Sequence, residues 1–179
     1  GVHLNVNKME VLKKQFHTIA ENIPGAIFRY GISNGGNHKL TYVSNQFLDL
    51  WGITGDEERE IKDVQSIWNL ISEEDLPQVK KSIEQSAAHM TDWSSIWRVK
   101  LPDGSLKWHK GMGRPTRNPD GSIYWDAIIL DITEEKEIAE RLTQRNEFIE
   151  VILENLPIGI AVNDTVTGKA TIVNDQFSE

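Results

Sequence analysis

The sequence predicts an α+β fold in which two strands are followed by a helical segment and then by three more strands. Three observations carry this prediction. Short apolar alternations flank stretches in which apolar residues recur every three or four positions, the respective marks of strand and helix. The segments Pro102-Asp103-Gly104-Ser105 and Asn118-Pro119-Asp120-Gly121-Ser122 carry Asp-Gly pairs, which supply the positive backbone angles of tight hairpins. The tail of the chain also restates its head. Glu154-Asn155-Leu156-Pro157 repeats Glu21-Asn22-Ile23-Pro24 133 positions later, and Val173-Asn174-Asp175-Gln176-Phe177 repeats Val43-Ser44-Asn45-Gln46-Phe47 at 130. The difference falls where Asn34-Gly35-Gly36-Asn37-His38 makes a longer turn than Val166-Thr167-Gly168-Lys169, and turns tolerate length changes that strands do not.

Taken in order, residues 8 to 23 form a predicted helix, because Met9, Leu12, Phe16, Ile19 and Ile23 set one apolar stripe along it. Strands are predicted at 26–32 and 40–44, short helices at 45–51 and 64–71, and a longer helix at 75–89 with Ser72 or Asp75 as its cap. Three strands follow, near 94–101, 106–116 and 123–132. Thr133 is placed to cap an exit helix whose first turn holds Glu134 and Glu135, which complement the helix dipole. That helix carries Ile138, Leu142, Ile149, Ile152 and Leu156 in the same phase as the first, interrupted by Arg145. Two readings of the stripes stand open. Each packs on its own domain's sheet, or each forms a parallel two-helix coil with a second chain, through Met9, Leu12, Phe16 and Ile19 in the first helix. The expected division is an amphipathic helix at 1–23, a domain at 24–133, a connecting helix at 134–156 and the start of a second copy at 157–179, with strands near 158–163 and 170–174.

Composition excludes several function classes. Zero cysteines removes disulfides, thiolate metal ligands, thiol nucleophiles and any cysteine-linked chromophore. A net charge of −8 without a basic stripe argues against nucleic acid as a partner. No apolar run approaches the ~18 residues of a membrane span, and no signal peptide is visible. The expectation is a soluble, cytoplasmic piece without membrane contact, from a parent that could be membrane-attached. His3, His17, His38, His89 and His109 are scattered without the spacing of a zinc site. Asn34-Gly35-Gly36-Asn37 sits in a hairpin and not before a helix, so it is no phosphate loop, and no nucleophile motif is present. The chain does not read as an enzyme.

Particular residues carry a family resemblance. Glu-Asn-Ile-Pro-Gly-Ala-Ile-Phe at 21–28, Tyr-Val-Ser-Asn-Gln-Phe at 42–47, the helix start at Ser72 to Asp75, Trp97-Arg98-Val99 leading to Asp103-Gly104-Ser105-Leu106-Lys107-Trp108, and Asp131-Ile132-Thr133 occur in that order. This order resembles a PAS domain with its C-terminal PAC motif, in the branch common among bacterial and archaeal sensor kinases and cyclases. The resemblance implies a five-stranded antiparallel sheet in spatial order 2-1-5-4-3, with helices on one face enclosing a cleft. It also implies binding of a small ligand, with relay through Asp131, Thr133 and the exit helix to an output domain, a histidine kinase or a diguanylate cyclase. A homodimer is the expected assembly. The competing class is a ligand-free dimerisation or protein-interaction module. Relatives commonly place a glutamate before the aromatic-Arg pair, where this chain has Ile96, and a basic residue soon after the Thr, where it has two glutamates before Lys136.

By comparison with ligand-bearing relatives, Phe28, Tyr30, Tyr42, Ile96, Arg98, His109, Ala127 and Ile129 are placed on the cleft face, and Trp97 and Trp108 on the outer face. The opposite register, with the tryptophans buried, stays open. In the first register Arg98 would hold a small organic anion with His109 and Tyr30 as partners, because its forked donors match a carboxylate. An internal salt bridge of Arg98 to Asp49, Glu73 or Glu74 is the alternative. The cofactor is not specified. A flavin adduct lacks its cysteine, haem has only His89 as a weak candidate ligand, and no metal site is expected.

Overall fold

The computed structural model describes residues 22–53 and 64–173, together with Val11, Lys14 and Thr18. Met9, Leu12, Phe16 and Ile19, and the repeat motif beyond Val173, lie outside the described residues. The chain divides into two compact units, residues 1–133 and 134–179.

In the first unit, β1 (Ala26–Ile32) and β2 (His38–Val43) precede three helices, α1 (Asn45–Leu50), α2 (Val64–Trp68) and α3 (Leu76–His89). Strands β3 (Trp93–Lys100), β4 (Leu106–Arg117) and β5 (Ile123–Asp131) follow. All neighbours pair antiparallel in the order β2-β1-β5-β4-β3, as the resemblance implied. One face of the sheet, with Phe28, Tyr30, Trp97, Val99, Trp125 and Ile129, forms a single core with Phe47, Ile67, Val79 and Ile83 of the helices. Helix α3 starts after Asp75 with proline in its first turn, where a missing N–H costs nothing. It buries Val79, Ile83 and Ser86 at steps of four and three, and it stops where Met90 turns left-handed at φ 52°.

The two Asp-Gly turns use the same chemistry. Asp103 Oδ1 accepts from the Ser105 N–H (2.8 Å) and hydroxyl (2.7 Å), and Asp120 Oδ1 does the same with Ser122 (2.9 and 2.6 Å). Gly104 and Gly121 take φ of 88° and 84°, where a side chain would be strained. The first turn fixes the β3–β4 register, setting Lys100 opposite Leu106, Arg98 opposite Trp108 and Trp97 opposite His109. Bulky and small residues then interlock across the pair. Gly111 and Gly113 are alternate residues of β4, and a Cβ on Gly111 would lie 2.4 Å from the Trp93 ring and 2.6 Å from the Trp97 ring. Gly111→Ala is therefore expected to destabilise the domain by about 1–3 kcal/mol through overpacking. A urea unfolding midpoint equal to wild type would refute this placement of the two rings.

Strand β2 carries a bulge. Phe28 pairs with Val43 and Arg29 with Tyr42, but Tyr30 pairs with Leu40, which leaves Thr41 as the extra residue. Helix α4 (Thr133–Asn155) starts at the last residue of the first unit, and the second unit continues with a hairpin of β6 (Ala161–Asn163) and β7 (Ala170–Val173). That hairpin pairs Ala161 with Val173, Val162 with Ile172 and Asn163 with Ala170, with its irregularity between Val162 and Asn163. Each of these pairs is the image of one in β1–β2 under the sequence offsets of 133 and 130. No residue of α4 is buried, and Ile138, Leu142, Ile149 and Ile152 are exposed.

Candidate functional site

A cavity of about 60 Å³ lies between the sheet and α1, α2 and α3. Its wall comes from β1 (Phe28, Tyr30), β2 (Leu40), the helices (Phe47, Val64, Ile67, Val79, Ile83), and β3 and β5 (Trp93, Trp97, Trp125, Ile129). Trp51, Trp68 and Ile71 complete it, so five of the six tryptophans face one hollow and no lining residue is charged. Alternation along the strands delivers these side chains to one face, and the steps of three and four in the helices close over them.

The few polar atoms are unevenly satisfied. Trp93 Nε1 donates to Ser82 Oγ and Trp125 Nε1 to Ser86 Oγ, both at 2.9 Å. The Tyr30 hydroxyl is hydrogen-bonded to His38 Nδ1, and the His38 ring meets Trp68 edge-on at 5.1 Å. Burial pushes the Tyr30 phenol well above its ordinary value. It also pushes His38 down, with Lys80 adding to the effect against Glu84. By contrast, the buried Trp51 and Trp97 indole N–H groups and both ring nitrogens of His109 have no hydrogen-bond partner among the described residues. His109 is fully buried (0% exposed) and meets the Trp51 ring edge-on at 5.1 Å and the Trp97 ring at 6.3 Å. Burial lowers its pKa to about 4, opposed by Asp131 and reinforced by Lys107, so the ring is neutral near pH 7.

Of the residues placed on the cleft face from sequence, Phe28, Tyr30 and Ile129 line the cavity, and Ala127 and His109 are buried on the same side. Four placements need correction. Ile96 is exposed and Arg98 turns to the outer face, because the Asp-Gly turn sets Arg98 opposite Trp108 and Trp97 opposite His109. Trp97, assigned from sequence to the outer face, is buried at 2% exposure. Tyr42 pairs with Arg29 and is not part of the wall, and beyond it the bulge at Thr41 brings Leu40 inward. Trp108 lies on the outer face as expected, with the Arg98 guanidinium 5.6 Å from its ring centre.

Arg98 is held by acids from the start of α3. Its Nε donates to Asp75 Oδ2 (2.9 Å) and its terminal nitrogen to Asp75 Oδ1 and Glu74 Oε2 (both 2.7 Å). The Arg98 backbone N–H also donates to Asp75 Oδ2 at 2.8 Å. These hydrogen bonds hold Asp75 below the usual carboxylate range. Glu74 was among the acids expected from sequence. Asp75 stands at the N-cap position of α3, where its sequence context reads first as a cap.

At the domain's exit, the Asp131 carboxylate accepts the Thr133 N–H (2.9 Å) and the Thr133 hydroxyl, and Lys107 Nζ stands 3.6 Å away. The Thr133 hydroxyl in turn accepts the Trp108 N–H at 2.9 Å. Thr133 is thus the first helical residue tied to β4, and Asp131 does the capping that the sequence assigned to Thr133. Lys107 supplies the cation missing after Thr133.

A flavin does not fit this site. The cavity is about fivefold below the ~300 Å³ at which ligand pockets begin, its wall offers few polar atoms, and the chain has no cysteine for an adduct. Among the described residues no His, Cys, Asp or Glu cluster could hold a metal ion, and no helix is long and apolar enough to cross a membrane.

Comparison with solved structures returns the same architecture. An RNA-binding light-oxygen-voltage receptor superposes with a TM-score of 0.57 at 21% identity, over 77% of this chain and 38% of that one. A sensory box histidine kinase/response regulator from Burkholderia thailandensis gives 0.55 at 18%, over 74% and 95%. The N-terminal domain of a diguanylate cyclase with PAS/PAC sensor from Marinobacter aquaeolei gives 0.51 at 20%, over 62% and 98%. The present chain spans little more than a third of the light-oxygen-voltage receptor's length. No curated protein matches. A family model described as PAS fold matches residues 40–129, from the bulged strand through the last core strand. The cavity, the sheet order and this match agree, and the chain belongs to the PAS fold family.

Proposed function

We propose that this chain is the sensory part of a larger signalling protein. Its domain binds a small molecule in the tryptophan-lined cavity and relays occupancy through the exit helix to an output domain, a histidine kinase or a diguanylate cyclase. The observation that carries the reading is the partly open hollow between the sheet and the helices, whose wall is made of aromatic and aliphatic side chains. A ligand that fills this hollow with a different affinity in two states of the domain shifts their populations by that difference. The bonds from Thr133 to Trp108 and Asp131 support the relay, since they join the first helical residue to two core strands. The repeated hairpin register supports a tandem arrangement with a second copy starting near residue 157. The exposed stripe Ile138, Leu142, Ile149 and Ile152 supports a homodimer joined by paired connecting helices.

The interaction-module reading has one observation in its favour, the small volume of a hollow crowded by aromatic rings. A thermal-shift screen of metabolites on this chain separates the two. A saturating ligand is expected to raise Tm by about 5 °C or more. A flat response across acids, amines, nucleotides and neutral compounds would overturn the ligand reading and leave the interaction module.

A further inference from the structure

We infer that the hollow is a receptor site for a small, neutral, apolar molecule of a few heavy atoms, held by contact with the rings and aliphatic chains around it and by no hydrogen bond. This rests on the reading of the domain as a ligand sensor and specifies the chemistry of the ligand.

The wall gives the argument. Every lining residue is aromatic or aliphatic, and none carries a charge. Its phenol and four of its five indoles are committed elsewhere or out of reach of an occupant. The Tyr30 hydroxyl is bonded to His38 Nδ1, and the Trp93 and Trp125 N–H groups donate to Ser82 and Ser86 at 2.9 Å. The Trp51 and Trp97 N–H groups have almost no accessible surface, so they do not face the hollow. The Lys80 ammonium lies 4.4 Å over the Trp68 ring and is not part of the wall.

Selectivity follows from what such a wall can and cannot offer. An acid, amine or amide that entered would give up its hydrogen bonds to water and find no replacement. An apolar molecule loses no such bonds and gains dispersion contacts with closely set rings. Water competes poorly, because a buried water needs about two to four polar partners. Size sets the upper limit. The hollow, at about 60 Å³, is less than half the ~150 Å³ of an apolar cavity that accepts benzene or xenon, so it suits xenon or a hydrocarbon of about three carbons. Ile129 belongs to the wall, and Asp131 on the same strand accepts the Thr133 N–H at 2.9 Å. An occupant pressing on Ile129 thus acts on the strand that holds the exit helix.

Xenon and cyclopropane are suitable apolar probes, and acetamide, acetate and methylammonium are polar probes of similar size. All are followed through the methyl signals of the ¹³C-labelled chain. Xenon and cyclopropane are expected to shift the Val64, Val79 and Ile83 signals saturably, while Ile96, exposed on the outer face, shows only a linear drift. The three polar probes should leave the wall signals in place. Val79→Ile, which adds a methylene to the wall, should weaken cyclopropane about fivefold or more. The methyl signals away from the hollow report whether the variant is folded. An unchanged affinity in that folded variant, or saturable shifts of the wall methyls by any polar probe, would overturn the inference while leaving a ligand sensor. So would wall signals that respond to neither gas when the metabolite screen does find a ligand. Silence in both experiments overturns the sensor reading as well.

Discussion

Trp97→Ala is expected to lower the unfolding free energy by about 3–5 kcal/mol, as large aromatic truncations in a packed core do. The ring is 2% exposed, stacks on Trp93 with centroids 6.0 Å apart, and rests over Gly111. Alanine would leave a hole continuous with the existing cavity, and glycine beneath it has no side chain with which to fill the space. Trp108→Ala, on the outer face, is expected to cost about 1 kcal/mol or less, mostly a cation–π contact with Arg98. Urea denaturation of the two variants is a direct test of which tryptophan faces the helices. Equal losses, or the reverse order, would contradict the register described here.

Acidification from pH 6.5 is expected to weaken the domain, and His109 is the principal cause of the first part of the loss. In the unfolded chain its imidazole titrates near 6.5, whereas burial pushes it to about 4 in the fold. Between these values the unfolded chain holds a proton that the folded one lacks, so the His109 contribution falls as pH drops from 6.5 to 4 and is constant below, where loss of the depressed Asp75 carboxylate continues the decline. The full His109 excursion is about 3 kcal/mol. His38, also pushed down by burial, adds to the same slope. His109→Leu should remove most of the dependence while keeping the packing between Trp51 and Trp97. Urea midpoints measured from pH 7 to 4.5 would show it, and parallel profiles for variant and wild type would assign the acid sensitivity elsewhere.

The contrast between what the sequence disclosed and what it concealed follows from the range of each signal. Strand limits, the α3 cap and the sheet order rest on local patterns or on motif order, and these were legible. The side of the sheet on which Arg98 points depends on parity across a hairpin, and one residue reverses it. That parity was available: the Asp103-Gly104 turn sets Trp97 opposite His109, and Gly111 and Gly113 at alternate positions mark where large rings lie across the neighbouring strand. Resemblance to ligand-bearing relatives instead drew Arg98 inward. The unpartnered indoles were not legible, since nothing near Trp51 or Trp97 in the chain tells which serine will reach which ring. Ser82 and Ser86 select Trp93 and Trp125 only once α3 is docked.

The bulge in β2 has a consequence for the mouth of the hollow. Because Thr41 is a supernumerary residue, every side chain of that strand on its far side changes sides, and Leu40 and His38 come to stand over the same surface as Tyr30 and Ile32. An even count would have sent both to solvent, leaving the buried phenol without its imidazole. The phenol–imidazole bridge at the rim is thus an arithmetic property of the main chain, and the second hairpin, stepping at its own corresponding place, keeps the same count.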